Sequence, residues 1–165
     1  MNTIQERMRN SRVLAIDVRP RRIGYVCLGE SNKLLAATAA RFTSRGAARA
    51  RLASIFDECQ PAVLVLRCTK PGSWRDWPGT RVIQRLARTQ ARRHSTEILS
   101  VNEAQLARFY RAHNFHNKNE TAAFLVTEFP ELAPYELQAR KPWEPEHRYM
   151  LIFDAAVLAL VYLAT

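Results

Sequence analysis

Apolar and polar residues follow two different patterns along this chain, and the pattern changes near residue 43. Before that point the apolar residues form short extended runs, such as VLAID at 13–17 and IGYVCLGE at 23–30, separated by the brief polar turns RPRR and ESNK. Apolar, β-branched runs bounded by turn residues are typical of β-strands. This part of the chain therefore predicts three sequential strands with short connections, which form an antiparallel meander.

After residue 43 the chain alternates between helical spacing and short apolar runs. Leu52, Ile55 and Phe56 fall on one side of a helix that Pro61 ends. We predict five strands, at 12–18, 22–29, 34–42, 62–68 and 96–101. We predict five helices, at 46–59, 80–93, 102–112, 118–129 and about 145–164. A meander followed by helices that alternate with strands indicates an α/β fold with a mixed sheet.

The ends of several helices carry recognisable capping residues. Ser100 with Glu103 and Asn117 with Glu120 have the spacing of capping boxes for the third and fourth helices. Pro145 suits the first turn of the last helix. Because no linker divides the chain, we expect a polar N-terminal arm at 1–11 and a single domain at 12–165, a length that can bury one proper core.

The cysteines and the apolar runs indicate in which cellular compartment the protein is expected. Cys27, Cys59 and Cys68 are an odd number without C-x-x-C spacing, which predicts small buried thiols in a reducing compartment. The first residues contain no apolar stretch of the signal-peptide kind. The long apolar run at 149–165 is interrupted by Asp154 and is short for a membrane span. We expect a soluble cytoplasmic protein without membrane contact.

The charge of the chain is strongly positive. It has 25 Lys and Arg against 15 Asp and Glu, a net charge of +10, and 21 of the 25 cations are Arg. Basic surface releases counterions from phosphate chains, and guanidinium groups suit bidentate phosphate contacts, so a nucleic-acid partner is favoured. A GC-rich genome, which favours Arg codons, is the alternative explanation.

The positive charge is concentrated in the second helix and the loop before it. Arg81, Arg85, Arg88 and Arg92 recur at steps of four, three and four residues, which lays them along one helix face. Such a like-charged face is slightly destabilising on its own, which favours a bound anion over a merely solvated face. Trp74 and Trp77 of the preceding loop could stack on unpaired bases or cover the sheet edge, and the sequence leaves both open.

Several segments, taken in order, resemble one family of nucleases. VLAIDVRPRRIGYVCLGE resembles the first hairpin of RuvC-like nucleases, and IFDAAVLALVYL resembles their last helix. Between them, NKNETAAFLVTEFPEL and RKPWEPEHRYMLIFDA resemble a bacterial group of RuvC-like proteins. The resemblance covers about residues 12–163. It implies an RNase H-like fold, with a five-stranded mixed sheet of order 3-2-1-4-5, strand 2 antiparallel, and helices on both faces.

The resemblance also implies a two-metal site for phosphodiester hydrolysis, in which carboxylates hold Mg²⁺ or Mn²⁺. Asp17 matches the family's strand-one acid and Asp154 its last-helix acid, while Glu144 and Glu146 are further candidate ligands. The candidate catalytic set is Asp17, Asp154 and Glu146. The alternative is that these acids have only structural roles. Asp17 would then begin a turn, Asp154 would face solvent, and the two glutamates would stabilise the start of a helix.

One position departs from the family pattern. Where the family places Glu near the end of strand four, this chain has Arg67, and Arg19 stands where the family often has a small residue. A guanidinium repels metal ions and would pair with Asp17 or Asp154 instead. We expect these two aspartates to share one pocket beneath a cationic ridge.

Two functions follow from the resemblance. The first is a metal-dependent endonuclease for branched or structured DNA, such as a Holliday junction, acting in recombination or repair. The second is a catalytically inactive nucleic-acid-binding module of the same fold; either could act as a homodimer. An actin-like ATPase ranks last, because the chain has only five glycines and no room for a duplicated domain. The candidate nucleic-acid contacts are Arg19, Arg67, Lys70, Trp74, Arg75, Arg81, Arg85, Arg88, Arg92 and Lys118.

Overall fold

A central five-stranded sheet organises the part of the chain that the computed structural model describes, which is residues 12–73, 75–136, 143 and 147–165. The strands are β1 (Val13–Arg19), β2 (Arg22–Leu28), β3 (Leu34–Arg41), β4 (Val63–Arg67) and β5 (Glu97–Val101). The helices are α1 (Arg45–Cys59), α2 (Pro78–Arg93), α3 (Glu103–Ala112), α4 (Lys118–Glu128) and α5 (Met150–Ala164). All ten elements occur where the sequence predicts them, with shifted ends. The predicted arm at 1–11 lies outside the described residues.

The strand order is 3-2-1-4-5, as expected from the resemblance. β2 is antiparallel to both β1 and β3, whereas β4 is parallel to β1 and to β5. The short turns of the meander permit antiparallel pairing, while the parallel pairs need α1 and α2 as crossover connections. The carboxyl ends of β1 and β4 therefore lie side by side at one edge of the sheet.

Helices cover both faces of the sheet, because each strand buries alternate residues on opposite sides. Val13 and Ala15 of β1 pack in one core with α3, α4 and α5. Leu14 and Ile16 pack in a second core with α1 and α2. Asp17 continues the first series, so its side chain belongs to the face that α5 covers.

Gly24 lets α5 approach the sheet very closely. It pairs with Asp17 across the β1–β2 ladder. A Cβ atom on Gly24 would overlap the backbone carbonyl of Leu151, in the first turn of α5. The absence of a side chain at this point therefore allows the helix that carries Asp154 to lie directly against the strand hairpin that carries Asp17.

Three expectations about helix ends need correction or refinement. The capping box of α3 is formed by Asn102 and Gln105, not by Ser100 and Glu103, because Ser100 is still paired within β5. Asn117 caps α4 as predicted, accepting a hydrogen bond from the Glu120 amide. However, the Glu120 carboxylate accepts from the His116 amide, one residue before the cap.

The last helix begins at Met150 and not near residue 145. Residues 148–149 form a turn before it, and the amides of Met150 and Leu151 donate to the carbonyls of His147 and Arg148. Pro145, the expected first-turn residue, lies outside the described residues. Among the described residues, no helix is both long and apolar enough to cross a membrane.

The cysteines also differ from expectation. Cys27 and Cys59 are buried as predicted, but they form a disulfide between β2 and the last residue of α1. Cys68 is a free thiol and is exposed, just beyond the end of β4. The expected set of three buried thiols is therefore wrong.

Candidate functional site

Asp17 and Arg67 form a buried ion pair at the carboxyl ends of β1 and β4. Ile16 pairs with Leu66 in the parallel ladder, so the next residue of each strand lies beside the other. Arg67 donates from Nε to Asp17 Oδ1 at 3.3 Å. The two residues are only 6% and 1% exposed. Asp17 Oδ2 is buried and has no hydrogen-bond partner among the described residues.

Arg67 also reaches the start of α3. Its Nη1 donates to Glu103 Oε1 at 3.3 Å, and the Glu103 side chain is 56% exposed. Burial alone would lower the pKa of Arg67, but the carboxylates of Asp17, Asp154 and Glu103 together raise it above its ordinary value. The guanidinium is therefore a permanent cation held by acids from three different elements.

Asp154 is the second buried acid of the site. It is 4% exposed in α5, and its Oδ2 accepts from Arg19 Nη2 at 3.5 Å and from Lys118 Nζ at 3.4 Å. Arg19 comes from the end of β1 and is itself buried, whereas Lys118 opens α4. Asp17 and Asp154 thus lie on the same face of the sheet, each in contact with at least one cation.

A cavity of about 370 Å³ opens over this group. Its lining includes Arg67, Arg75, Tyr110, Asn117, Lys118 and Asp154. Burial, followed by the like charge of Arg67, lowers the pKa of Arg75. Burial and the charge of Asp154 raise the pKa of Tyr110 to about 12, so its hydroxyl keeps its proton at neutral pH. The cavity therefore presents hydrogen-bond donors and a crowded set of cations.

The described residues do not fit a pair of divalent metal ions. Two close dications need three or four carboxylates, yet here Arg67 lies against Asp17, and Arg19 and Lys118 lie against Asp154. No group of three or more metal-binding side chains occurs within the described part of the chain. The single partnerless oxygen of Asp17 is too little to hold an ion against a neighbouring guanidinium. Glu144 and Glu146 lie outside the described residues.

The predicted nucleic-acid contacts do not all lie together. Arg19, Arg67, Arg75 and Lys118 surround the two aspartates. The arginine face of α2 lies elsewhere, because Ile83, Leu86 and Ala87 pack α2 against the opposite face of the sheet from α5. The cations beside the aspartates therefore include Arg67 and Arg75, and not the arginine face of α2.

The remaining predicted contacts lie in or near the loop between β4 and α2. Lys70 is exposed there, and Trp77 immediately precedes α2 with 38% of its surface exposed. Trp74 lies outside the described residues. Arg81 donates to both carboxylate oxygens of Asp76, so part of its charge is already neutralised.

Sequence reasoning missed two residues of the site. The spacing of Glu103 from Ser100 predicted a capping box, and it gave no indication that Glu103 contacts Arg67. Tyr110 carries no signal beyond its position in an amphipathic helix, and only the packing of α3 beside α5 brings it to the cavity.

No protein-family model matches the chain, and neither does any curated protein. Solved structures do. RuvC of Thermus thermophilus superposes with a TM-score of 0.66 at 12% identity, covering 93% of this chain and 95% of its own. The yeast mitochondrial Holliday junction resolvase Ydc2 gives 0.66 at 14% identity, covering 93% and 78%. The Holliday junction resolvase of fowlpox virus gives 0.59 at 15% identity, covering 93% and 98%.

At these identities the likeness concerns the fold alone, and it agrees with the strand order and with the helices on both faces. The chain therefore has the RNase H-like fold, in the form found in RuvC and other Holliday junction resolvases.

Proposed function

We propose that this protein binds branched or structured nucleic acid through the cations around Asp17 and Asp154, and that it does so without metal and without hydrolysis. One observation carries the proposal: the Arg67 guanidinium lies on Asp17, 3.3 Å from its carboxylate, at the family's strand-four acid position. A fixed guanidinium neutralises the buried carboxylate as a metal would, but it cannot activate a water molecule for attack on phosphorus.

Charge supports the nucleic-acid partner. The chain carries a net charge of +10, and Arg67, Arg75 and Lys118 converge on one cavity. The pKa of Arg75 is lowered by burial and then by Arg67, which means that these cations repel one another in the free protein. A phosphate group in the cavity would relieve that repulsion. T. thermophilus RuvC and the fowlpox virus resolvase have both been solved with Holliday junction DNA, which makes a four-way junction the natural first probe.

The test is binding of a labelled four-way junction by fluorescence anisotropy, with EDTA and with Mg²⁺. We expect the same affinity, within about twofold, in both conditions after ionic strength is matched, and a steep loss of affinity with salt. Lys118→Glu should weaken binding by about tenfold or more, since it reverses a charge at the cavity. Lys33→Glu is the matched control, because Lys33 is exposed in the turn between β2 and β3. Binding that requires the metal would contradict the proposal.

The metal-dependent nuclease is the second candidate, because Asp17 and Asp154 lie on one face around the same guanidinium, in a fold shared with resolvases. In this alternative Asp17, Asp154 and Glu144 or Glu146 hold Mg²⁺ or Mn²⁺. Junction cleavage by the wild-type protein, abolished by Asp17→Asn, would establish it and overturn our proposal. Cleavage gained only in Arg67→Glu would show that one missing ligand separates this protein from an active enzyme.

A homodimer belongs to the same proposal, since two copies could hold two arms of a junction. Sedimentation velocity of the free protein and of its junction complex tests it. We expect two protein chains per junction, and a complex that contains one chain at saturation would contradict the dimer.

A further inference from the structure

A second cationic cavity lies between α1 and α2, on the opposite face of the sheet from the aspartates. It has a volume of about 240 Å³, and its lining includes Arg45 and Arg49 of α1 and Arg85, Thr89, Gln90 and Arg93 of α2. α1 and α2 pack on the face of the sheet opposite to α5. We call this cavity the α1–α2 groove.

The groove combines four guanidinium groups with no compensating acid. No carboxylate belongs to its lining among the described residues. α2 contains five arginines and no acidic residue. The acids of α1, Asp57 and Glu58, lie in its last turn, where Asp57 contacts His94 at 3.6 Å and Glu58 accepts from Ser54. The positive charge of the groove is thus uncompensated by the part of the chain that the structure describes.

The direction of α1 adds to this positive potential. Arg45 is the first residue of α1, directly after the Ser44 cap, and no acid occupies the first turn. A cation at a helix N-terminus opposes the helix dipole, whereas an anion there is stabilised. The placement of Arg45 in the first turn therefore costs stability in the free protein and becomes favourable once an anion binds.

We infer that the α1–α2 groove binds the phosphate backbone of a second nucleic-acid segment, separate from the segment at the aspartate cavity. This rests on the proposed function and deepens it. The two cationic cavities lie on opposite faces of one sheet, so a single straight duplex cannot run through both. A branched or sharply bent substrate presents phosphates to both faces. Binding at the α1–α2 groove would therefore make the affinity for branched nucleic acid higher than the affinity for a linear duplex.

Neighbouring arginines supply a matched test. The groove variant carries Arg49→Ala and Arg93→Ala, while the control carries Arg51→Ala and Arg92→Ala, which changes the same two helices and the same net charge outside the groove lining. All four side chains are exposed, so both variants should fold, which circular dichroism and thermal melting check. Arg92 belongs to the arginine face of α2 that the sequence predicts as a nucleic-acid contact, whereas Arg93 lines the groove. The comparison therefore also tests whether the arginine face or the groove binds the nucleic acid.

We expect the groove variant to bind a four-way junction about tenfold or more weakly, and to lower the slope of log affinity against log salt by about 2, since about 0.9 is lost per phosphate contact. The control should lose about threefold or less. Equal losses of junction affinity in the two variants would contradict the inference about the groove but not the proposed function. Wild-type protein that fails to bind junction DNA would overturn the groove together with the proposed function.

Two further outcomes also decide against the groove. If the groove variant sediments as a smaller species than the control without DNA, the groove is a contact between copies of this chain. If it weakens a linear duplex as much as a junction, the groove does not bind a separate segment. A larger loss for the junction than for the duplex is the result that supports the inference.

Discussion

Arg67 and Asp17 occupy neighbouring ends of two parallel strands and are joined through Arg67 Nε and Asp17 Oδ1 at 3.3 Å. Both are almost completely buried. Breaking such a pair from one side leaves an uncompensated charge in the interior, which is more costly than removing both charges together. The stability of this protein therefore depends on this buried pair.

Arg67→Met should lower the free energy of unfolding by about 3–5 kcal/mol, because Asp17 then stays buried without its cation. Adding Asp17→Leu should recover most of that loss, since no buried charge remains. Urea denaturation of the two single variants and the double variant measures the coupling. Glu103→Gln is the control and should cost less than about 1 kcal/mol, because the Glu103 side chain is largely exposed. A double variant as unstable as Arg67→Met alone would mean that the pair is not the source of the loss.

Gly24→Ala should destabilise the protein by about 3 kcal/mol, because the new Cβ overlaps the Leu151 carbonyl. The overlap should also push the first turn of α5 away from the sheet, and with it Asp154. Thermal unfolding measures the first effect, and weaker junction binding reports the second. Gly46→Ala in α1 is the matched control: its nearest neighbour is Ser44 Oγ at 3.9 Å, so stability should be unchanged or rise by up to about 1 kcal/mol.

Arg81 and Arg85 should contribute unequally to nucleic-acid binding although both belong to the predicted arginine face. Hydrogen bonds from Arg81 and the Gly72 amide lower the pKa of Asp76 to about 2, so Asp76 stays ionised and paired with Arg81 throughout the neutral range. Arg85→Ala should lower the salt slope by about 1, whereas Arg81→Ala should hardly change it. Asp76→Asn should tighten binding, because it releases the Arg81 charge. Equal effects of the two arginine variants would contradict this.

Tyr110 should titrate near pH 12, two units above an ordinary tyrosine, because burial and the Asp154 charge disfavour its ionised form. In the unfolded chain Tyr110 ionises near its ordinary pKa of about 10. Its contribution to stability is therefore complete below pH 10 and declines as the pH rises from 10 to 12. The difference in tyrosinate absorbance between wild type and Tyr110→Phe isolates its titration. Asp154→Asn should lower this pKa but keep it above 10, since burial is the larger cause.

Local patterns determined the secondary-structure elements of this protein and their order along the chain. Strand and helix periodicities extend over neighbouring residues, so the sequence alone predicts the meander and the alternation of helices and strands that follows it. The resemblance then implies the order 3-2-1-4-5, which the structure has. The resemblance singled out Asp17 and Asp154, and the cost of placing an acid without a partner in an apolar run supports that choice.

Only the tertiary structure decided what surrounds those acids and where the cations go. Arg67 meets Asp17 across 50 residues of sequence, and Asp154 meets Arg19 across 135, so no local spacing reports these contacts. The arginines of α2 lie on the far face because the apolar side of that helix packs there. Periodicity shows which side of a helix is buried, but the face of the sheet that it covers depends on how the connections cross over, and that is a property of the whole fold.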